Sequence, residues 1–273
     1  MNILVPTVII GVMGVVFGIA LAFASKAFSA PVDERAALIR EALPGANCGV
    51  CGLAGCDAYA AAVVAGESAA NKCAVGGQAV AVKIGSIMGI DAGVVEVKAA
   101  RVKCAGAGGA CGPKYEYVGI QSCAAARSVQ EGPRACGYGC LGFGDCVKAC
   151  KYNAIVVRGG VAEVIQSRCA ACGMCASACP KKLIELLPVR VHHTVLCMNQ
   201  DRGAVTRRNC TAGCIGCMRC TKVCSIKAIS VTNNLASIDA AKCRQCGECV
   251  KVCPQKCVRY IYCQSASAAG AAQ

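Results

Sequence analysis

Between Ile3 and Ala24 the chain carries no charged residue. Twenty-two residues at 1.5 Å each reach about 33 Å as a helix, enough to cross a bilayer core. A single spanning helix is predicted there. A cleaved signal peptide is the competing reading, but no Lys or Arg precedes the run, which is longer than the usual signal-peptide core of about 7–15 residues. Gly14-x3-Gly18, with Gly11 near the same face, has the small-residue spacing that lets another helix approach, although glycine is also simply common in membrane helices. The first basic residues, Lys26, Arg35 and Arg40, all follow the span, which places the bulk of the chain in the cytoplasm by the positive-inside rule. Next, PVDERAALIREALPG opens with an acidic turn and sets Ala36, Leu38, Ile39 and Leu43 at roughly helical spacing. A short amphipathic helix ending near Pro44–Gly45 is predicted. The alanine-rich stretch after Cys56 is a further helix candidate. Beyond residue 100 the apolar positions shorten to pieces such as Ala228–Val231, the length of small strands.

The second half of the chain repeats. A shift of 74 residues superposes Cys123, Cys136, Cys140, Cys146, Cys150, Cys169, Cys172, Cys175 and Cys179 on Cys197, Cys210, Cys214, Cys220, Cys224, Cys243, Cys246, Cys249 and Cys253 without a gap. Pro180 falls on Pro254, and Ala154-Ile155 on Ala228-Ile229. The expected organisation is therefore an anchor (1–28), a four-cysteine domain (29–95), a first copy (101–188), a second copy (189–263) and a disordered tail (264–273).

Composition changes the picture in two ways. Cysteine accounts for 27 of 273 residues, and most stand two or three apart, which converges thiolates on one point as iron–sulfur clusters or zinc require. A disulfide framework is disfavoured by the odd count and the reducing compartment. With 4% aromatics and no tryptophan, metal–ligand bonds would have to supply folding free energy that a core normally provides. The formal charge of +14 counts every cysteine as neutral. Five [4Fe–4S] clusters with their thiolates would add about −10 and leave roughly +4. Nucleic-acid binding, which would want basic runs and stacking aromatics, is not expected.

The second copy is the clean one: Cys214-x2-Cys217-x2-Cys220-x3-Cys224, then Cys243-x2-Cys246-x2-Cys249-x3-Cys253-Pro254. This is the bacterial two-cluster ferredoxin pattern, in which the fourth cysteine of each run reaches across to the other cluster. It predicts one cluster on Cys214, Cys217, Cys220 and Cys253, and another on Cys243, Cys246, Cys249 and Cys224. Zinc is the bland alternative, but paired runs of four exceed what tetrahedral zinc uses. In the first copy Phe143 stands where Cys217 stands in the second. With the nearest unclaimed cysteine as substitute, the expectation is one cluster on Cys136, Cys140, Cys146 and Cys179, and another on Cys169, Cys172, Cys175 and Cys150. Cys210, the counterpart of Cys136, needs no such role. It is either a small buried hydrophobe or part of extra clusters that would use Cys123, Cys136, Cys197 and Cys210 with Cys104 and Cys111, or with Cys257 and Cys263. Nearer the anchor, Cys48-x2-Cys51-x4-Cys56-x16-Cys73 supplies one more set, for which structural zinc is the alternative. His192-His193 reads as a strand or turn feature, and Asp57 and Glu67 as a solvated helix face. No phosphate loop, dinucleotide fingerprint, nucleophile triad or flavin pattern is evident.

An N-terminal anchor, then LPGANCGVCGLAGC with a distal cysteine, then ferredoxin-type runs, resembles the B subunit of the Rnf complex, the membrane-bound ion-translocating ferredoxin:NAD⁺ oxidoreductase. It is also similar to the related complex that reduces a redox sensor. The resemblance covers nearly the whole chain, and the two ferredoxin pairs match the longer B subunits. It implies small α+β iron–sulfur domains: a transmembrane helix, a four-Cys [4Fe–4S] domain and two tandem ferredoxin-like domains, to which the cysteine spacing in this chain assigns five clusters. It implies a single-pass subunit of the cytoplasmic membrane with its clusters on the cytoplasmic side, taking electrons from reduced ferredoxin. The cluster on Cys48, Cys51, Cys56 and Cys73 would deliver them to integral membrane partners, and flavin- and NADH-binding sites would lie on other subunits. No complete active site is expected on this chain alone. A soluble polyferredoxin and a zinc-stabilised interaction module are the competing classes.

Overall fold

The computed structural model describes residues 4–27 and 33–261; the expected tail at 264–273 and Cys263 lie outside these. Helix α1 (Leu4–Ala27) covers most of the uncharged run. Side chains are described for residues 8–23 of it, where Ile10, Leu21 and Phe23 are largely exposed. Among the described residues no helix is long and apolar enough to cross a membrane.

Helix α2 (Glu34–Ala42) starts where Asp33 accepts the Arg35 N–H and ends one residue before Pro44. It packs with α3 (Cys56–Val64) and α4 (Gly77–Met88) around Ile39, Tyr59, Val63 and Ile84. Leu38, placed by periodicity on the apolar face, is instead exposed. Tyr59 is buried, and its hydroxyl donates to the Ala69 carbonyl at 2.9 Å, which satisfies the polar end of the ring. Helix α4 stops at Gly89, whose left-handed φ of 68° suits a helix C-terminus.

Strand β1 (Lys98–Val102) opens the first copy, three residues ahead of the expected boundary at 101. Then come α5 (Cys123–Ser128), α6 (Asp145–Lys148), the hairpin β2 (Ile155–Arg158) and β3 (Val161–Val164), α7 (Met174–Ala178) and β4 (Ile184–Pro188). Strand β4 returns to pair antiparallel with β1, with Lys98 opposite Pro188 and Val102 opposite Ile184. The second copy follows as β5 (His193–Val195), α8 (Gly203–Asn209), α9 (Arg219–Val223), the hairpin β6 (Ile229–Thr232) and β7 (Leu235–Ile238), α10 (Glu248–Lys251) and β8 (Val258–Tyr260), with β5 paired to β8.

Both hairpins turn on two residues of positive φ, Gly159-Gly160 in the first copy and Asn233-Asn234 in the second. Those are the residue types that tolerate the mirror-image turn a tight hairpin needs. Each turn presses on a glycine of the cysteine loop. A Cβ on Gly142 would lie 2.7 Å from the Gly160 carbonyl oxygen, and one on Gly216 3.0 Å from that of Asn234. The close approach holds the cysteine loop against the hairpin, and in each copy the hairpin, the helix pair and the outer strands wrap a small core made largely of cysteine, alanine and isoleucine or valine.

The copies diverge before their first cysteine run. Residues 103–122 form a loop held by Arg134, whose guanidinium donates to the carbonyls of Gly106, Cys111, Cys140 and Gly160. Its counterpart, Arg208, lies on α8 and is exposed.

Candidate metal centres

All described cysteines are free thiols. Among the described residues no three of His, Cys, Asp or Glu come close enough to hold a single metal ion. The cysteines instead stand around cavities. Cys150, Cys169, Cys172 and Cys175 line one. Cys214, Cys217, Cys220 and Cys253 line another, and Cys224, Cys243, Cys246 and Cys249 a third. Each of these three sets is a quartet expected from the ferredoxin spacing. In the four-cysteine domain Cys73 lies within electrostatic reach of Cys48, Cys51 and Cys56, so those four are also gathered.

The remaining quartet needs correction. Cys140, Cys146 and Cys179 line a cavity whose fourth cysteine is Cys123, not Cys136. Two interactions bring Cys123 in. Ser122 caps α5, and both its hydroxyl and the Ala124 N–H donate to the Asp145 carboxylate at 3.0 Å, which clamps α5 to the start of α6 and to Cys146. Phe143 packs with Tyr117 at 5.4 Å between ring centroids and sits against Cys123 and Leu141, filling space beside the cavity. Cys136 faces the other way, where its sulfur accepts the Asn199 side-chain N–H from the second copy at 3.5 Å. The sequence did hold a pointer to Cys123, in the Ser122 cap signal just before it.

Three observations show that these sites suit a four-iron cluster. First, quartets around a cavity match a guest that occupies the volume between the sulfurs, whereas a single zinc ion would draw four sulfurs together. Second, backbone N–H groups are aimed at the sulfurs: Ala154 donates to Cys150 at 3.3 Å, Ala228 to Cys224 at 3.3 Å, Leu183 to Cys179 at 3.4 Å, Ala100 to Cys169 at 3.4 Å and Gly76 to Cys73 at 3.3 Å. Such donors favour thiolate over thiol. Third, without a cation several of the buried thiols resist ionisation. Burial, reinforced by facing cysteines, pushes Cys146 up to about 12 and Cys175 and Cys220 up to about 11. A cationic iron–sulfide core reverses that penalty by pairing with the thiolates. Cys257 also borders the cavity of Cys214, Cys217, Cys220 and Cys253, and a contact of 3.6 Å between its sulfur and that of Cys253 holds Cys253 down at about 5. It occupies the repeat position of Leu183, and both are 2% exposed, so it fills a core position as a small hydrophobe does.

The sites succeed one another. Cys48 reaches Cys172 electrostatically, and Val50 packs beside Gly173, which joins the four-cysteine domain to the Cys150 cavity. Cys175 reaches Cys146 in the Cys123 cavity. In the second copy α9 and α10 pack together, carrying Cys220 and Cys249. Among the described cysteines only Cys217 and Cys246, both in the second copy, are exposed.

Cysteine quartets arranged in series define an iron–sulfur protein of the electron-carrying class. Residues 43–75 match a family described as an Fe-S cluster, 162–185 a 4Fe-4S binding domain and 213–258 a 4Fe-4S dicluster domain. The chain is 46% identical to the B subunit of the Na(+)-translocating ferredoxin:NAD(+) oxidoreductase complex of Acetobacterium woodii, across 94% of this chain and 77% of that one. It is 38% identical to the B subunit of the ion-translocating oxidoreductase complex of Methanosarcina acetivorans, across 90% and 94%. It is 39% identical to the B subunit of the proton-translocating ferredoxin:NAD(+) oxidoreductase complex of Clostridium ljungdahlii, across 93% and 91%. The chain belongs to this family of B subunits of ion-translocating oxidoreductase complexes, the Rnf complexes.

Proposed function

We propose that this chain is the electron-transfer subunit of an ion-translocating ferredoxin:NAD⁺ oxidoreductase, and that it receives electrons from reduced ferredoxin at its second copy. The observation that carries the reading is the line of cysteine quartets from the exposed pair Cys217 and Cys246 to Cys48, Cys51, Cys56 and Cys73. When bound at these quartets, [4Fe–4S] clusters supply reversible one-electron carriers. The residues hold them apart from water, supply N–H donors to the thiolates and leave two cysteines near the surface for a partner to approach. Arg219, Lys222 and Arg244 are exposed beside that pair, and a basic surface there complements an acidic ferredoxin. Structural zinc at Cys48, Cys51, Cys56 and Cys73 is disfavoured by the match of residues 43–75 to an Fe-S family.

The uncharged run Ile3–Ala24 supports a single-pass membrane anchor, and Lys26, Arg35 and Arg40 support a cytoplasmic location for the cysteine domains. The four-cysteine domain is nearest that anchor in sequence and is suited to pass electrons to integral partners. Flavin and NADH chemistry then belongs to other subunits. The coupling ion is not a family constant, since two of the relatives are named for Na(+) and for protons. Anaerobic stopped-flow mixing of the purified chain tests the function. Reduced ferredoxin should bleach the cluster absorbance within the mixing experiment while NADH alone leaves it unchanged; direct reduction by NADH, or no reduction by ferredoxin, would refute the assignment.

A further inference from the structure

A further cavity lies between the two copies. It is lined by Cys104 and Cys111 from the 103–122 loop, Cys136 from the first copy, and Cys197 and Cys210 from the second. Cys104 follows β1 as Cys197 follows β5, and Cys136 and Cys210 are related by the 74-residue shift, yet none of the five stands in one of the quartet cavities.

It is built as the others are. The Cys104 sulfur accepts the Cys140 N–H at 3.5 Å, and the Cys197 sulfur accepts the N–H groups of Cys214 at 3.3 Å and Asn199 at 3.4 Å. The Asn199 side chain, 1% exposed, donates to Cys136. Glycines 106, 139 and 213 line it, and a Cβ on Gly106 would point among the sulfurs, 3.6 Å from Cys104 Sγ and 3.7 Å from Cys210 Sγ. Arg134 ties the Cys104–Cys111 loop to the first copy through four carbonyls. The donors also locate it in the series. Cys140 belongs to the last quartet of the first copy and Cys214 to the nearest quartet of the second, and each donates its N–H directly to a cysteine of this cavity.

We propose that this cavity is a sixth [4Fe–4S] site, held by Cys104, Cys136 and Cys197 together with one of the touching pair Cys111 and Cys210. It rests on the reading that the other quartets hold such clusters, and it makes the series continuous across the junction of the copies. Five clusters would leave the two copies joined through a cavity lined by five idle thiols; six give each copy a neighbour.

Native mass spectrometry of the anaerobically prepared full chain, with iron analysis, tests it. The fully loaded wild type should carry six clusters and about 24 irons. Cys104→Ala, Cys197→Ala and the double variant Cys111→Ala/Cys210→Ala should each stop at five clusters and about 20 irons. These changes fall on three different segments, so a folding defect in one leaves the others informative. A wild type that stops at five clusters overturns the sixth site while keeping the ferredoxin quartets, and so does a Cys104→Ala chain that still carries six. A wild type with zinc and no clusters overturns the underlying reading as well.

Discussion

The two ferredoxin-like copies share hairpins, helix pairs and closing strands in the same 74-residue register, but the first copy carries extra residues after its opening strand: Val102 faces Ile184 as Val195 faces Val258, so Cys104 is the structural counterpart of Cys197 and Cys123 lies in the added segment. Cys123 lines the quartet cavity of the first copy, where Phe143 has displaced the middle ligand position. Cys197, which the sequence shift sets opposite Cys123 but the strand register sets opposite Cys104, lines the junction cavity with Cys104, and Cys217 lines the second copy's quartet cavity. The helix α5, with its Ser122 cap and Asp145 clamp, has no equivalent in the second copy, where residue 219 is an arginine in place of Asp145. The added segment of the first copy thus brings Cys123 to its quartet cavity, whereas Cys197, like its counterpart Cys104, stands at the junction.

The largest expected effect separates those two cysteines. Cys123→Ala should remove a cluster of the first copy, and Cys197→Ala should remove the junction cluster and leave both ferredoxin clusters of the second copy, each costing about four irons per chain. Mössbauer spectra of the two variants compared with wild type check this, and identical difference spectra would erase the distinction.

A smaller effect concerns the surfaces. Arg219→Glu should slow reduction by ferredoxin about fivefold at low salt, whereas Lys148→Glu, on the equivalent helix of the first copy, should leave the rate unchanged. The wild-type rate should also fall as salt rises from about 50 to about 300 mM, through screening. Equal slowing by both variants, or a rate indifferent to salt, would move the docking face elsewhere.

Asp145 offers a third comparison. Burial opposes its charge, but hydrogen bonds from Ala124, Cys123 and Ser122 outweigh it and hold the carboxyl below its usual range. A group with a lowered folded pKa contributes stability that is present above its unfolded value, about 3.9, and is lost as pH falls through the folded value. Asp145→Asn should therefore lower stability at pH 7 by about 1 kcal/mol, a figure discounted for its partial exposure. The gap from wild type in denaturant midpoint should narrow below about pH 4. A gap constant across that range would assign the effect to packing.

The smallest effect lies at the helix starts that precede the ligand cysteines. Gly144, Gly173 and Gly247 cap theirs in the left-handed region, while the fourth equivalent residue is Met218 at φ 57°. Met218→Gly should raise stability by about 0.5–1 kcal/mol by relieving that conformation, read as a shift in denaturant midpoint; a loss would show that its side chain matters more than its backbone.

Much of this was legible in the sequence because ligand spacing within a run is local. The quartets of the second copy, the Cys150 quartet and the gathering of Cys48, Cys51, Cys56 and Cys73 follow from short loops whose geometry leaves little choice. The helices after Asp33 and Cys56 and the strand at Ile229 also follow from local pattern. The substitute for the missing ligand did not. Proximity in sequence favoured Cys136, four residues from Cys140, but the fold turns Cys136 toward Asn199, and a hydrogen bond between residues 122 and 145 brings Cys123 in instead. The junction cysteines were candidates for an extra cluster in the sequence, but their convergence in one cavity was not legible, since it depends on a loop held by Arg134 and by the Gly108–Gly159 and Thr211–Ala110 backbone hydrogen bonds.

The most direct test of the account is a rescue. In Cys123→Ala the first copy lacks a ligand, and adding Phe143→Cys restores the ferredoxin spacing seen in the second copy. The double variant should regain about four irons per chain relative to Cys123→Ala. If it does not, and Cys136→Ala removes the same cluster that Cys123→Ala does, the assignment of Cys123 to the first copy is wrong.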